Sequence, residues 1–140
     1  MSLQNKKILL IIGGGISAYK ALDLIRMLRK SNVEIKTILT KSGKEFVTPL
    51  SIASLSKNKV YSDIYSVENE SEMDHISLSR WADLILIAPA TSNIIAKMSQ
   101  GISDDLATTV VQASNKCIFV CPAMNVRMWE HVTNLSLIHI

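Results

Sequence analysis

Apolar residues run without a break from Ile8 to Ile12 and stop at Gly13-Gly14-Gly15. Such a run predicts a parallel strand covered on both faces. A helix is predicted from about Ser17 to Lys30. Ala21, Leu24, Ile25 and Leu28 form its apolar stripe, with Lys20, Asp23, Arg26 and Lys30 mostly away from it. Ser31-Asn32 ends that helix, and Val33 to Leu39 reads as a second strand. A strand–helix–strand unit of this kind packs right-handed into a parallel sheet.

Lys41 to Ser56 carries a helical pattern around Phe46, Leu50, Ile52 and Leu55, interrupted at Pro49. Val60-Tyr61 and Ile64-Tyr65 predict short strand pieces, and Val67 to Asp74 is acidic and loop-like. His75 to Trp81 predicts a short helix. Asp83 to Ala88 predicts a buried strand ended by Pro89. Thr91-Ser92-Asn93 then opens a helix with Ile94, Ile95 and Met98 inward, and Gly101 separates it from a helix over Asp104 to Ser114. Cys117 to Cys121 predicts another buried strand. Pro122 stops it, because proline has no N–H to donate. Strands alternating with helices predict one α/β domain over residues 1–140. Its expected form is a Rossmann-like or flavodoxin-like three-layer α/β/α fold with a parallel sheet.

Composition narrows the function classes. The 140 residues are 48% hydrophobic and only 19% charged, which suits a folded core and excludes a disordered chain. The net charge of +3 is mild and comes without a Lys/Arg block, and aromatic residues make up 5%. Neither feature suits a nucleic-acid binder. No run is long enough to span a bilayer. Cys117 and Cys121 lack the spacing of a redox or zinc pair, so they are expected to be small core residues and no metal site is expected. Without a disulfide framework, a cytoplasmic location is expected.

The chemistry gathers after the strands, where open α/β sheets bind ligands. Gly13-Gly14-Gly15 with Ser17 is either a plain turn or an anion site at a helix start. No acidic residue closes the second strand. Thr40-Lys41-Ser42 stands there instead, suiting a mononucleotide phosphate better than a dinucleotide. Thr91, Ser92 and Asn93 either cap a helix or bond the polar edge of a flat ring. Asn125 is a neutral amide among Met, Trp and Ala, serving either a turn or a ligand. His75 is either a helix cap or a proton exchanger near neutral pH.

Gly14 to Lys20, His75-Ile76-Ser77-Leu78, Ala88 to Asn93, Gly101 to Leu106 and Pro122 to Trp129 together resemble the homo-oligomeric flavin-containing cysteine decarboxylases. The resemblance covers about residues 6 to 131 and is nearest to the branch acting on 4′-phospho-N-pantothenoylcysteine. It implies bound FMN and loss of CO₂ to give 4′-phosphopantetheine. It implies that His75 is the active-site base and that Asn125 holds the substrate carboxylate. Gly15, Ser17, Thr40, Ser42, Ala88, Thr91, Asn93, Ser103, Asp104, Leu106 and Met124 are implied cofactor contacts. Met128 and Trp129 shape the substrate pocket or a subunit contact by that resemblance, or else pack in the core. The resemblance also implies a homotrimer, or a dodecamer of trimers, in which His75 can serve a neighbour's flavin.

From Val132 to Ile140 the sequence does not resemble the family, and neither cysteine matches the catalytic cysteine of the family's mobile clamp. A truncated or altered end is therefore expected, with turnover stalling at the oxidised enethiol. Two alternatives share the fold: a peptidyl-cysteine decarboxylase and a non-enzymatic FMN-binding regulatory protein.

Overall fold

The computed structural model describes residues 2–62 and 75–138. Five parallel strands form one sheet: β1 (Lys7–Ile12), β2 (Glu34–Leu39), β3 (Val60–Ser62), β4 (Leu84–Ala90) and β5 (Cys117–Pro122). Their order is β3-β2-β1-β4-β5, the Rossmann order. β1 lies between β2 and β4, with Ile11 opposite both Ile38 and Ile87. The expected strand pieces at Ile64-Tyr65 and the loop over Val67–Asp74 lie outside the described residues.

The unbroken apolar run of β1 is explained by burial on both faces. Ile8, Leu10 and Ile12 pack with Ala18, Ala21, Ile25 and Leu28 of α1 (Ala18–Lys30) and with Ile52 of α2 (Pro49–Ser56). Leu9 and Ile11 face the other layer. Their neighbours there are Leu78 of α3 (His75–Trp81), Ile94 and Ile95 of α4 (Ser92–Gln100), and Leu106, Ala107 and Val110 of α5 (Leu106–Ala113). Leu9 is 0% exposed. Leu9→Ala is therefore expected to cost about 2–5 kcal/mol, measured by urea unfolding.

Local signals set most boundaries. Pro49 sits in the first turn of α2, where its missing N–H costs nothing, and the Thr48 side chain caps that helix. Asp105 caps α5 through a reciprocal box with Thr108. Asp105→Ala should cost about 1 kcal/mol and lower Tm by several degrees, while Asp105→Asn keeps most of the cap.

Several expectations need correction. β4 continues through Pro89 to Ala90, because the pairing with β5 shifts register between Ile87 and Ala90 there. Pro89 also follows a cis peptide bond, and its carbonyl accepts from Gly13. Phe46 and Leu50 point outward rather than into the core. The largest correction concerns β5. It forms the sheet edge, Phe119 is 58% exposed, and both cysteines are exposed free thiols. An apolar alternation reports that a strand could be buried, not that another element covers it. Two short helices follow Pro122: α6 (Val126–Glu130) and α7 (Val132–Ile138).

Among the described residues, no helix is long and apolar enough to cross a membrane.

Candidate functional site

The chain passes from β1 to β2 on one side, then returns across the sheet to β4 on the other side of β1. This reversal opens a crevice at the carboxyl ends of β1 and β4, where such sheets bind ligands. A cavity of about 700 Å³ lies there, within the usual range for small-molecule sites. Gly13 and Gly14 follow β1, Thr40, Lys41 and Ser42 follow β2, and Thr91, Asn93, Ile94 and Lys97 belong to α4 and its cap. Asp104 and Asp105 precede α5, and Met128 lies on α6.

The glycines are required by close approach. A Cβ on Gly13 would stand 2.7 Å from the Pro89 carbonyl oxygen, and one on Gly14 would collide with the Ser42 side chain. A Cβ on Gly15 would meet nothing within 4 Å. Thus the tight packing falls on Gly13 and Gly14. Among the described residues, the N–H groups of Gly14, Gly15, Ile16 and Ser17 donate to no protein acceptor. Ser17 precedes α1 without using its hydroxyl as a cap. Free amides at a helix start, beside the Thr40 and Ser42 hydroxyls and the Lys41 cation, form a site for an anion. Thr40 Oγ1 accepts from the Gly43 N–H at 3.0 Å, which leaves its own hydrogen to donate.

Thr40, Ser42, Thr91, Asn93, Asp104 and Met128 share this cavity. Ser17 and Ala88 line a smaller neighbouring cavity with Lys20 and Cys121. Leu106 is core, Met124 packs against the core, and Ser103 is exposed. Lys97 was not anticipated. It lies one helical turn beyond Asn93, and its ammonium meets Asp104 at 3.1 Å and Asp105 at 4.0 Å. The four-residue spacing from Asn93 was the available signal.

Asn125 is not among the cavity-lining residues, although Met128, on the helix it caps, is one. Its Oδ1 accepts from the Met128 N–H at 2.9 Å, capping α6. With the oxygen held by the backbone, the Nδ2 of this exposed residue is left as a neutral two-hydrogen donor. His75 is not among the cavity-lining residues. α3 runs toward the start of the strands, where the Lys36 ammonium lies 4.6 Å from the Trp81 ring. His75 stands at the other end of α3, outside the cavity lining. Its Nδ1 is shielded from solvent and meets no partner among the described residues.

The comparisons with known proteins agree with this geometry. The sequence matches the Flavoprotein family over residues 1–139. It is 41% identical over 140 residues to the coenzyme A biosynthesis bifunctional protein CoaBC of Bacillus subtilis, covering 98% of this chain and 34% of that protein. It is 46% identical over 131 residues to CoaBC of Vibrio vulnificus, covering 94% and 33%. The chain spans about a third of the length of these curated relatives. Among solved structures, MrsD from Bacillus sp. HIL-Y85/54728 superposes with a TM-score of 0.87 at 29% identity, covering 98% of this chain and 78% of that chain. A cysteine-to-serine mutant of PPC decarboxylase, complexed with pantothenoylaminoethenethiol, gives 0.80 at 29% identity, covering 97% and 76%. A crevice at the strand reversal, rimmed by free amides and hydroxyls, and a sequence match along nearly the whole chain place this protein in the Flavoprotein family.

Proposed function

We propose that this chain is an FMN-dependent decarboxylase domain that removes CO₂ from 4′-phospho-N-pantothenoylcysteine, in the reaction whose full course gives 4′-phosphopantetheine. The observation that carries this reading is the crevice where the glycine turn meets Thr40, Ser42, Thr91, Asn93 and Met128, with the Asn125 amide capping the short helix that bears Met128. The residues fit the cofactor. Free amides from Gly14 to Ser17, with Thr40, Lys41 and Ser42, suit its phosphate. Ile94 and Met128 offer apolar surface for a ring, and Thr91 and Asn93 offer hydrogen bonds to its edge.

A simple carboxylate has nowhere to leave its electrons when CO₂ departs. Bound FMN supplies a two-electron acceptor that converts the cysteine thiol end into such a sink. The protein's part is to bind and orient. Asn125 donates through Nδ2 to the carboxylate without bringing a charge. A cation there would stabilise the carboxylate ground state, and that charge leaves the position in the transition state. His75 exchanges the proton that accompanies oxidation and reduction of the thiol end. Because His75 lies outside its own chain's cavity, it acts on the cavity of an adjacent copy in a homo-oligomer.

The single-chain test is direct. The purified protein should carry flavin absorption bands and release CO₂ from 4′-phospho-N-pantothenoylcysteine. Release only from a peptide with a C-terminal cysteine would assign a peptidyl-cysteine decarboxylase. Bound flavin with neither activity would assign a regulatory binder. A mixing experiment tests the shared site: His75→Asn and Asn125→Asp chains, each inactive alone, should regain activity after co-refolding. No recovery would mean that each chain's site is self-contained.

A further inference from the structure

The turn that carries Asn125 is tied to the cavity wall through one buried side chain. Asn134 of α7 is 7% exposed. Its Nδ2 donates to the Met128 carbonyl at 2.7 Å, and its Oδ1 accepts from the Ser92 hydroxyl at 2.9 Å. Met128 in turn donates its N–H to Asn125 Oδ1 at 2.9 Å. Ser92 is the first residue of α4 and stands between Thr91 and Asn93, both in the cavity wall. Hydrogen bonds therefore link Ser92, beside that wall, through Asn134 and the backbone of Met128 to the Asn125 amide. α6 is a short helix with no buried residue, so its own packing does little to fix it. A buried amide satisfied at both ends holds position strongly, because displacing either end leaves a polar group desolvated and unpaired.

We propose that Asn134 is a positioning residue. It registers the α6 turn against the start of α4, so that Nδ2 of Asn125 faces the carboxylate of the bound cysteine conjugate. The proposal rests on the carboxylate-binding reading of Asn125 given above. Nothing in the sequence pattern marked Asn134, which lies where the resemblance to the decarboxylases ends.

Three variants separate positioning from packing. Asn134→Leu removes both bonds at similar volume. Asn134→Asp keeps an acceptor for the Ser92 hydroxyl and loses the donor to Met128. Ser92→Ala loosens only the α4 end, and serves if the leucine variant does not fold. In the FMN-loaded protein, two quantities are measured: hydrogen exchange at the Met128 amide, and dissociation constants for 4′-phospho-N-pantothenoylcysteine and for its carboxylate-free product, 4′-phosphopantetheine. Each Asn134 variant should speed Met128 exchange and weaken substrate binding about tenfold, with product and FMN binding unchanged. In an Asn125→Ala background the same Asn134 change should have no further effect on substrate binding. Equal weakening of substrate and product, or additive losses in the double variant, would overturn the positioning role. If the wild type binds substrate and product equally, the carboxylate reading of Asn125 is what fails. The registering role of Asn134 is then decided by Met128 exchange alone, and unchanged exchange overturns it.

Discussion

Asn125→Asp should abolish decarboxylation while leaving the fold and flavin binding intact. The wild-type Oδ1 accepts from the Met128 N–H, and an aspartate oxygen can accept the same bond. Aspartate and asparagine cap helices about equally well. The change is therefore confined to the other end of the side chain, where a two-hydrogen donor becomes an anion. Facing a substrate carboxylate, that anion removes a charge-assisted hydrogen bond and adds like-charge repulsion. A charge-assisted bond is worth about 1.5–3 kcal/mol, so kcat/KM should fall by about 10³-fold once repulsion is included. Tm and FMN affinity should stay near wild-type values. Asn125→Gln should keep some substrate binding, because it retains the donor on a longer arm. Steady-state kinetics beside a thermal melt and an FMN titration separate these outcomes. An active aspartate variant would remove the carboxylate assignment.

Gly14→Ala should have the second-largest effect, on the cofactor rather than the chemistry. The new methyl group would overlap the Ser42 side chain and lie 2.9 Å from the Ser42 carbonyl carbon. The turn after β1 and the turn after β2 would have to separate, and both contribute to the same cavity wall. Overpacking of this kind costs about 1–3 kcal/mol. Here it should appear as roughly hundredfold weaker FMN binding, since the donors for the phosphate would no longer converge. Adding Ser42→Gly should restore only part of the affinity, because the Ser42 backbone atoms remain in the way. Fluorescence titration of FMN measures both variants. Full affinity in the single variant would show that the glycine turn does not hold the phosphate.

The legible and illegible parts of this chain divide along physical lines. β1 could be read because burial on both faces leaves an unbroken apolar run, and Leu9 and Leu10 indeed sit in opposite layers. The helix start at Thr91 could be read because a cap is a contact between near neighbours, whereas the helical pattern read from Lys41 ran past the start that Thr48 caps. The strand-end clustering of Thr40, Ser42, Thr91 and Asn93 followed from topology alone. What escaped depends on contacts distant in sequence. The exposure of Cys117 and Cys121 reflects the edge position of β5, which strand alternation does not encode. Asn134 bonds Ser92 across a separation of 42 residues, so no local pattern announces it. The place of His75 outside the cavity follows from the direction of α3, which its composition leaves open. Of the Asn125 alternatives the structure shows the cap, which leaves the amide nitrogen as a donor.

The central claim is that one crevice, between the ends of β1 and β4, holds FMN and presents the Asn125 amide nitrogen to a substrate carboxylate. A crystal structure of the protein with FMN and 4′-phospho-N-pantothenoylcysteine tests it most directly. The account predicts the FMN phosphate against the amides of Gly14 to Ser17, and a carboxylate oxygen within hydrogen-bonding distance of Asn125 Nδ2. A flavin seated elsewhere on the sheet, or a carboxylate held by other groups with Asn125 turned away, would contradict it.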